Sequence, residues 1–195
     1  MNNIVHDKGT IDRLLLPLKK MAISNDFEQG YVRNQEWIIG CIEALEFFTL
    51  EFFELMNKFI NITKSSKLYI TNAQYDQSEE VIRFDLPVPY EDFFRVVHDE
   101  SYLTIANNVV IYSESSNWMF YYDTHKELIF YALPLDKKYF EAENIINSKF
   151  NICNVQKLVD YLIDTDALKN PNQYVTNLVK EYGSQLRSPN GARFQ

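Results

Sequence analysis

The stretch from Asn108 to Leu133 constrains the fold of this chain more than any other. Its sequence, NVVIYSESSNWMFYYDTHKELIFYAL, holds three short apolar runs separated by polar, turn-forming residues. Short β-branched and aromatic runs with polar spacers are typical of a strand meander. The middle run places large side chains on both faces of the pleat: Trp118, Phe120 and Tyr122 on one, Met119 and Tyr121 on the other. The sequence therefore predicts a sheet with this strand in its interior, covered on both sides.

A long amphipathic helix is predicted before the sheet, from Asn34 to Ile62. No proline interrupts this segment, and at roughly 100° per residue its apolar side chains fall in one arc. Phe48, Phe52 and Phe59 belong to that arc, which we expect to pack on the sheet or on the C-terminal helices. The opposite arc is acidic, with Glu36, Glu43, Glu46, Glu51 and Glu54. Such an arc is either a solvated outer face or a docking surface for a cationic protein.

The other segments complete an α+β architecture. A first helix is expected from Ile11 to Ile23, with Thr10 as its cap and an interruption or kink at Pro17. Further strands are expected at Lys67–Ala73, Val81–Leu86 and Tyr102–Ala106. Further helices are expected at Tyr90–Val97, Lys138–Ile146, Asn154–Asp164 and Pro171–Tyr182. The first of these helices has Phe93, Phe94 and Val97 on one side, and the last ends before Gly183. Because helices precede and follow the strands, the order favours α+β over alternating βαβ units.

One domain is expected to span residues 1–195, with an antiparallel β-sheet of about five or six strands flanked by N-terminal and C-terminal helices. Its parts are a helical N-terminal part at 1–66, the sheet at 67–133, a helical C-terminal part at 134–184 and a mobile tail at 185–195. The 195 residues are 46% hydrophobic, which suffices for a sizeable core.

The net charge of the chain limits the classes of partner that it can bind. At −8, with a pI near 4.9, the chain is a poor candidate for binding nucleic-acid backbones, which needs a basic surface, and a better one for meeting a basic protein. The N-terminus has no signal-peptide pattern, and no apolar run approaches the roughly 20 residues of a membrane span. We expect a cytoplasmic protein that contacts neither nucleic acid nor membrane, and we favour a monomer.

Motifs for catalysis or metal binding are absent from the sequence, which has no GxGxxG, GxxxxGK[ST], GxSxG or HExxH. The histidines and neighbouring carboxylates of the chain allow one metal site, built from His98, Asp99, Glu100 and His125. Adjacent residues rarely converge on one ion, however. Cys153 precedes an expected helix start, which can lower a thiol pKa and would suit a pair with a histidine, but packed thiols are favoured for Cys153 and Cys41. We predict no catalytic residue, no metal and no cofactor.

The aromatic rim of the meander is the second candidate surface for a partner. It comprises Trp118, Tyr121 and Tyr122, followed by Asp123. Tyrosine and tryptophan are enriched among the residues that dominate protein–protein binding energy. A base-stacking platform is disfavoured because the chain is acidic and no lysine or arginine is interleaved with these rings.

The meander, VVIYSESSNWMFYYDTHKELIFYAL, resembles small bacterial immunity proteins of polymorphic-toxin and contact-dependent growth inhibition systems. In those proteins an apolar strand leads through a polar turn to a Trp-apolar-aromatic strand that ends in an acidic residue, and another apolar strand follows. The matching positions are Ser113, Trp118, Tyr121, Tyr122, Asp123 and Ile129. The resemblance covers about Tyr102 to Leu133. The stretch LPVPYEDFF is also similar to an element of the yeast cell-wall-regulator-like immunity superfamily, without the Asn-Gly that follows there.

This resemblance implies a role without catalysis. The protein would bind a cognate toxin domain, basic and in some systems a nuclease, and block its active site or its access to substrate. The alternative is a bacterial enzyme or defence-system component with an acidic or histidine site. A regulatory or structural binding module is the third possibility. The reading frame immediately upstream separates these classes, because a large secreted protein with a variable C-terminal domain favours immunity.

Overall fold

The computed structural model describes residues 3–22, 27, 30–33, 36–43, 48–101, 108–134, 136, 139, 144, 158, 163, 170–183 and 186, with the backbone alone at 43 and 100. Outside them lie the predicted strand at Tyr102–Ala106, nearly all of the predicted helices at Lys138–Ile146 and Asn154–Asp164, and the tail except position 186. Among the described residues, no helix has the length and apolarity needed to cross a membrane.

An antiparallel sheet of seven strands organises the described residues. Its strands are β1 (Ile4–Val5), β2 (Trp37–Glu43), β3 (Lys67–Asn72), β4 (Val81–Asp85), β5 (Val109–Ser113), β6 (Met119–Asp123) and β7 (Leu128–Pro134). Their order across the sheet is β1-β4-β3-β5-β6-β7-β2. The predicted α+β class is confirmed, and the strand count is slightly higher than expected because β1 and β2 come from the part of the chain predicted to be helical.

Helices cover both faces of this sheet. They are α1 (Lys8–Leu14), α2 (Leu16–Met21), α3 (Leu50–Thr63), α4 (Tyr90–Arg95) and α5 (Pro171–Tyr182). Helix α4 continues into a π-helical turn at Val96–Glu100. Buried residues of α1, α2 and α5 share a core with one face of the sheet, and those of α3 and α4 share a core with the other.

The meander lies in the interior of the sheet, as predicted. Strand β6 pairs with β5 on one side and with β7 on the other. Met119 and Tyr121 pack in the core that includes α1, α2 and α5, whereas Phe120 packs in the core that includes α3 and α4. The ring centres of Phe52 and Phe59 lie 5.1 and 5.2 Å from that of Phe120, so the predicted packing on the sheet is confirmed for these two residues. Phe48, the third residue of the predicted arc, precedes α3, and its ring centre lies 5.8 Å from that of Phe93 in α4.

The predicted helix from Asn34 to Ile62 is wrong over its first part. Residues Trp37–Glu43 form edge strand β2, which pairs with β7 along its whole length. The run WIIGCI is rich in β-branched residues, which favour strands, and β7 needs a partner for its backbone groups. At Gly40 a Cβ atom would lie only 2.0 Å from Cζ of Tyr131, so the strand passes directly beneath this ring. The helix begins at Leu50, where the side chain of Thr49 accepts a hydrogen bond from the backbone N–H of Phe52 at 3.3 Å.

The terminal helices follow their predictions with one change. Pro17 lies in the first turn of α2, and the interruption predicted there separates α1 from α2 at Leu15. The cap of α1 is Asp7 and not Thr10: its carboxylate accepts from the backbone N–H of Thr10 at 2.8 Å, and hydrogen bonds from Thr10 lower the pKa of Asp7. Helix α5 has the predicted bounds, and the residue after it, Gly183, is right-handed with φ −47°.

Candidate functional site

The five glutamates predicted as one acidic stripe do not lie on one helix. Glu51 and Glu54 are exposed on the outer side of α3. Glu36 is exposed just before β2, and Glu43 belongs to β2, where only its backbone is described. Glu46 lies outside the described residues. The acidic stripe was predicted on the assumption that the whole segment is helical. The helix begins only at Leu50, so Glu51 and Glu54 are the two predicted glutamates that lie on it.

The aromatic rim of the meander is largely interior. Trp118 is 0% exposed and Tyr121 is 1% exposed. The indole N–H of Trp118 donates to Oγ1 of Thr63 at the end of α3, at 3.2 Å, and the hydroxyl of Tyr121 accepts from Asn108 at 2.9 Å. Tyr122 is half-buried, and its burial, together with the charges of nearby carboxylates, raises the pKa of its hydroxyl. Of the three rings, Tyr122 alone keeps contact with solvent.

Asp123 closes the turn between β6 and β7. It is 3% exposed, and its carboxylate accepts from the backbone N–H groups of His125 and Lys126, each at 3.2 Å. The ammonium of Lys126 lies 2.5 Å from the other carboxylate oxygen and 4.7 Å from the ring centre of Tyr174 in α5. The ion pair closes the turn on itself, and the contact of Lys126 with Tyr174 connects the turn to α5, so the structure uses Asp123 within the fold.

The turn between β5 and β6 is also built from its own polar residues. The carboxylate of Glu114 accepts from the backbone N–H of Ser66 at 2.6 Å and from that of Lys67 at 2.9 Å. The hydroxyls of Ser113 and Ser115 lie 2.7 Å apart, and that of Ser115 donates to Asn117 at 2.7 Å. The polar positions of the meander therefore serve to shape its turns.

The histidines predicted as possible ligands are not gathered into a site. His98 is exposed in the π-helical turn, where its ring stacks on Phe94 with centres 4.3 Å apart. His125 is exposed in the β6–β7 turn. Within the described ranges, no three residues among histidine, cysteine, aspartate and glutamate form a group that could hold a metal ion. Cys41 is buried, as predicted, and Cys153 lies outside the described ranges.

A cleft of about 430 Å³ opens between α1, α2 and the loop at 75–79. Its charged and histidine lining comprises His6, Lys8, Asp12, Lys19, Asp76 and Glu79, beside the ring of Tyr75. Basic and acidic side chains occur in similar numbers, so the lining favours neither an anion nor a cation. No local sequence pattern predicts this cleft, because its walls come from segments that are separate along the chain.

No family model matches the chain, and no curated protein or solved structure matches it either.

Proposed function

We propose that this protein is an inhibitor of the immunity type, which binds a basic toxin domain and blocks its activity without catalysing a reaction. The observation that carries the proposal is the exposed pair of carboxylates on α3, Glu51 and Glu54, in a chain of net charge −8. Opposite charge on the two partners accelerates association and excludes wrong partners. The resemblance of the meander to immunity proteins supports the same role.

The way the fold uses the polar residues of the meander bears on where the binding surface lies. Hydrogen bonds of Ser113 and Asp123 shape the turns of the meander, and that of Trp118 links the meander to α3. Because Trp118 and Asp123 are buried and hydrogen-bonded within the protein, we place the binding surface elsewhere on the molecule. In this proposal the protein works in the cytoplasm as a monomer that meets the toxin domain on its acidic side.

An enzyme or defence-system component is the second candidate, and the cleft beside α1 is the observation that favours it. His6 and Asp12 are exposed there, across from the loop that carries Asp76. The double variant His6→Ala, Asp12→Asn separates the two functions. An inhibitor keeps its full protective effect in this variant, whereas an enzyme that works in the cleft loses it.

The reading frame immediately upstream gives the first test. The proposal expects a large secreted protein whose C-terminal domain varies between strains. An operon of metabolic enzymes at that place contradicts the proposal, because an immunity protein is useful only beside its toxin.

Binding of that C-terminal domain should be tight, one-to-one and sensitive to salt. Raising the salt concentration from 0.1 to 0.5 M shortens the Debye length from about 10 to about 4 Å, and we expect the association rate to fall about tenfold or more. Stopped-flow mixing measures this rate, and the dissociation rate should change far less. Absence of binding overturns the proposed function, and an association rate independent of salt overturns its electrostatic basis.

A further inference from the structure

The surface of α4 carries a row of rings that the core does not enclose. Phe94 is 37% exposed, although the helical period predicts it on the buried side with Phe93 and Val97. Its ring centre lies 5.8 Å from that of Tyr90 and 4.3 Å from that of His98, with the His98 ring nearly parallel to it at 21°. These three residues are spaced four apart and therefore line one side of the helix. We call Tyr90, Phe94 and His98 the aromatic ladder.

Tyr90, at one end of the ladder, is fixed by contacts with the segment at the start of α3. The hydroxyl of Tyr90 donates to the carbonyl of Phe48 at 3.2 Å, and its ring lies 5.4 Å from that of Phe53 in α3. Beneath the ladder Phe93 is 0% exposed. At the far end, the hydroxyl of Ser101 donates to the buried carboxylate of Glu80 at 2.6 Å. The Tyr90 ring, held in this way, loses little further freedom when a partner covers it.

The elements that carry the ladder and the start of α3 expose mainly acidic side chains, which we call the acidic rim. The exposed acidic residues on α4, its π-helical turn and the adjoining start of α3 are Glu51, Glu54, Glu91, Asp92 and Asp99. Arg95 lies among them, and its guanidinium is 3.5 Å from Asp92. Leu50, at the start of α3, adds apolar surface and is 50% exposed. Aromatic anchors with a charged rim are the arrangement that protein-binding hot spots use.

We propose that the aromatic ladder and its acidic rim form the docking surface for the partner, a protein domain that places an arginine or lysine side chain over the ring of Phe94. A cation over an aromatic face is attracted by the ring quadrupole. Glu91 precedes Phe94 by one helical turn and offers a carboxylate to the same cation. This inference rests on the proposed inhibitor function and adds to it the surface and the chemistry of the contact.

Matched variants on opposite faces of the sheet test the docking surface. On α4 the variants are Phe94→Ala and Glu91→Lys. On α5 the controls are Val179→Ala, at the same 37% exposure as Phe94, and Glu181→Lys, also at an exposed position. The probe is the C-terminal domain encoded immediately upstream, and surface plasmon resonance gives both rate constants. Thermal unfolding confirms that all four variants remain folded.

We expect Phe94→Ala to weaken binding about 30-fold, mostly through faster dissociation, as for a hot-spot residue. Glu91→Lys should slow association about tenfold at low salt. The α5 controls should stay within about twofold of wild type, since surface positions away from a contact contribute little. Wild-type binding with unchanged Phe94→Ala and Glu91→Lys variants overturns the docking surface and leaves the inhibitor function standing. No binding by wild type overturns both.

A second copy of the chain is the other conceivable occupant of the ladder. Sedimentation equilibrium of the protein alone distinguishes it. The docking proposal expects a monomer at micromolar concentration. A dimer that Phe94→Ala dissociates contradicts the proposal, because the ladder would then be a self-association surface.

Discussion

Replacing Trp118 with alanine should lower the free energy of unfolding by about 3–5 kcal/mol, the range for deleting a large buried ring. The side chain is 0% exposed and lies at the junction of β6 with the end of α3. Its ring centre is 5.9 Å from that of Phe59 and 5.7 Å from that of Phe120, so alanine leaves a cavity between helix and sheet. Urea unfolding followed by circular dichroism measures the effect.

Trp118→Phe is the matched control for this substitution. It keeps a ring in the site and removes the indole N–H that donates to Thr63 at 3.2 Å. The smaller ring and the lost hydrogen bond should together cost about 1–2 kcal/mol. If Trp118→Ala instead leaves stability nearly unchanged and weakens partner binding, the ring belongs to a contact surface and its interior placement is wrong.

Replacing Asp123 with alanine should destabilise the protein by about 3 kcal/mol or more, because it breaks a buried ion pair from one side. The Lys126 side chain keeps only 16% exposure and would lose its carboxylate partner. The backbone N–H groups of His125 and Lys126 would lose their acceptor in the same step. The contact between Lys126 and Tyr174, which connects the turn to α5, should loosen as well.

Asp85→Ala provides the comparison for an exposed pair. Asp85 lies 3.8 Å from Arg83, with side-chain exposures of 53% and 35%. Exposed pairs contribute about 0–1 kcal/mol, so this variant should unfold almost as wild type does. Equal losses from Asp123→Ala and Asp85→Ala in urea unfolding would show that the β6–β7 turn is not held by its ion pair.

The central sheet was predictable because its signal is local. Each run of the meander alternates large side chains between two faces, and the polar residues between the runs suit tight turns. A strand with bulky side chains on both faces must be packed against other elements on both. Phe120 and Tyr121 of β6 accordingly belong to the two cores on opposite faces of the sheet.

Strand β2 was missed because its partner is remote in sequence. Its apolar residues happen to continue the helical arc of α3 backward, so the two segments appear as one helix. Gly40 and the β-branched residues Ile38 and Ile39 are poor helix formers, and they carried the contrary signal. This segment forms a strand because it pairs with the edge of β7, which lies far along the chain.

The docking surface was missed for a related reason. Helical periodicity groups Phe93, Phe94 and Val97, but the sheet covers only Phe93 and Val97, both 0% exposed. Phe94 turns instead to His98. The aromatic positions chosen from the meander were attractive as single residues, yet both are buried: Trp118 packs against the end of α3, and Tyr121 packs against the rings of Phe27 and Tyr31.

Hydrogen exchange, measured by mass spectrometry on the chain alone and with one equivalent of the upstream-encoded domain, tests the central claim most directly. We predict slower exchange in peptides from Tyr90–Glu100 and from the start of α3, with unchanged exchange in α5 and in the β6–β7 turn. Protection confined to α5 or to that turn, with α4 exchanging as in the free protein, would contradict the account.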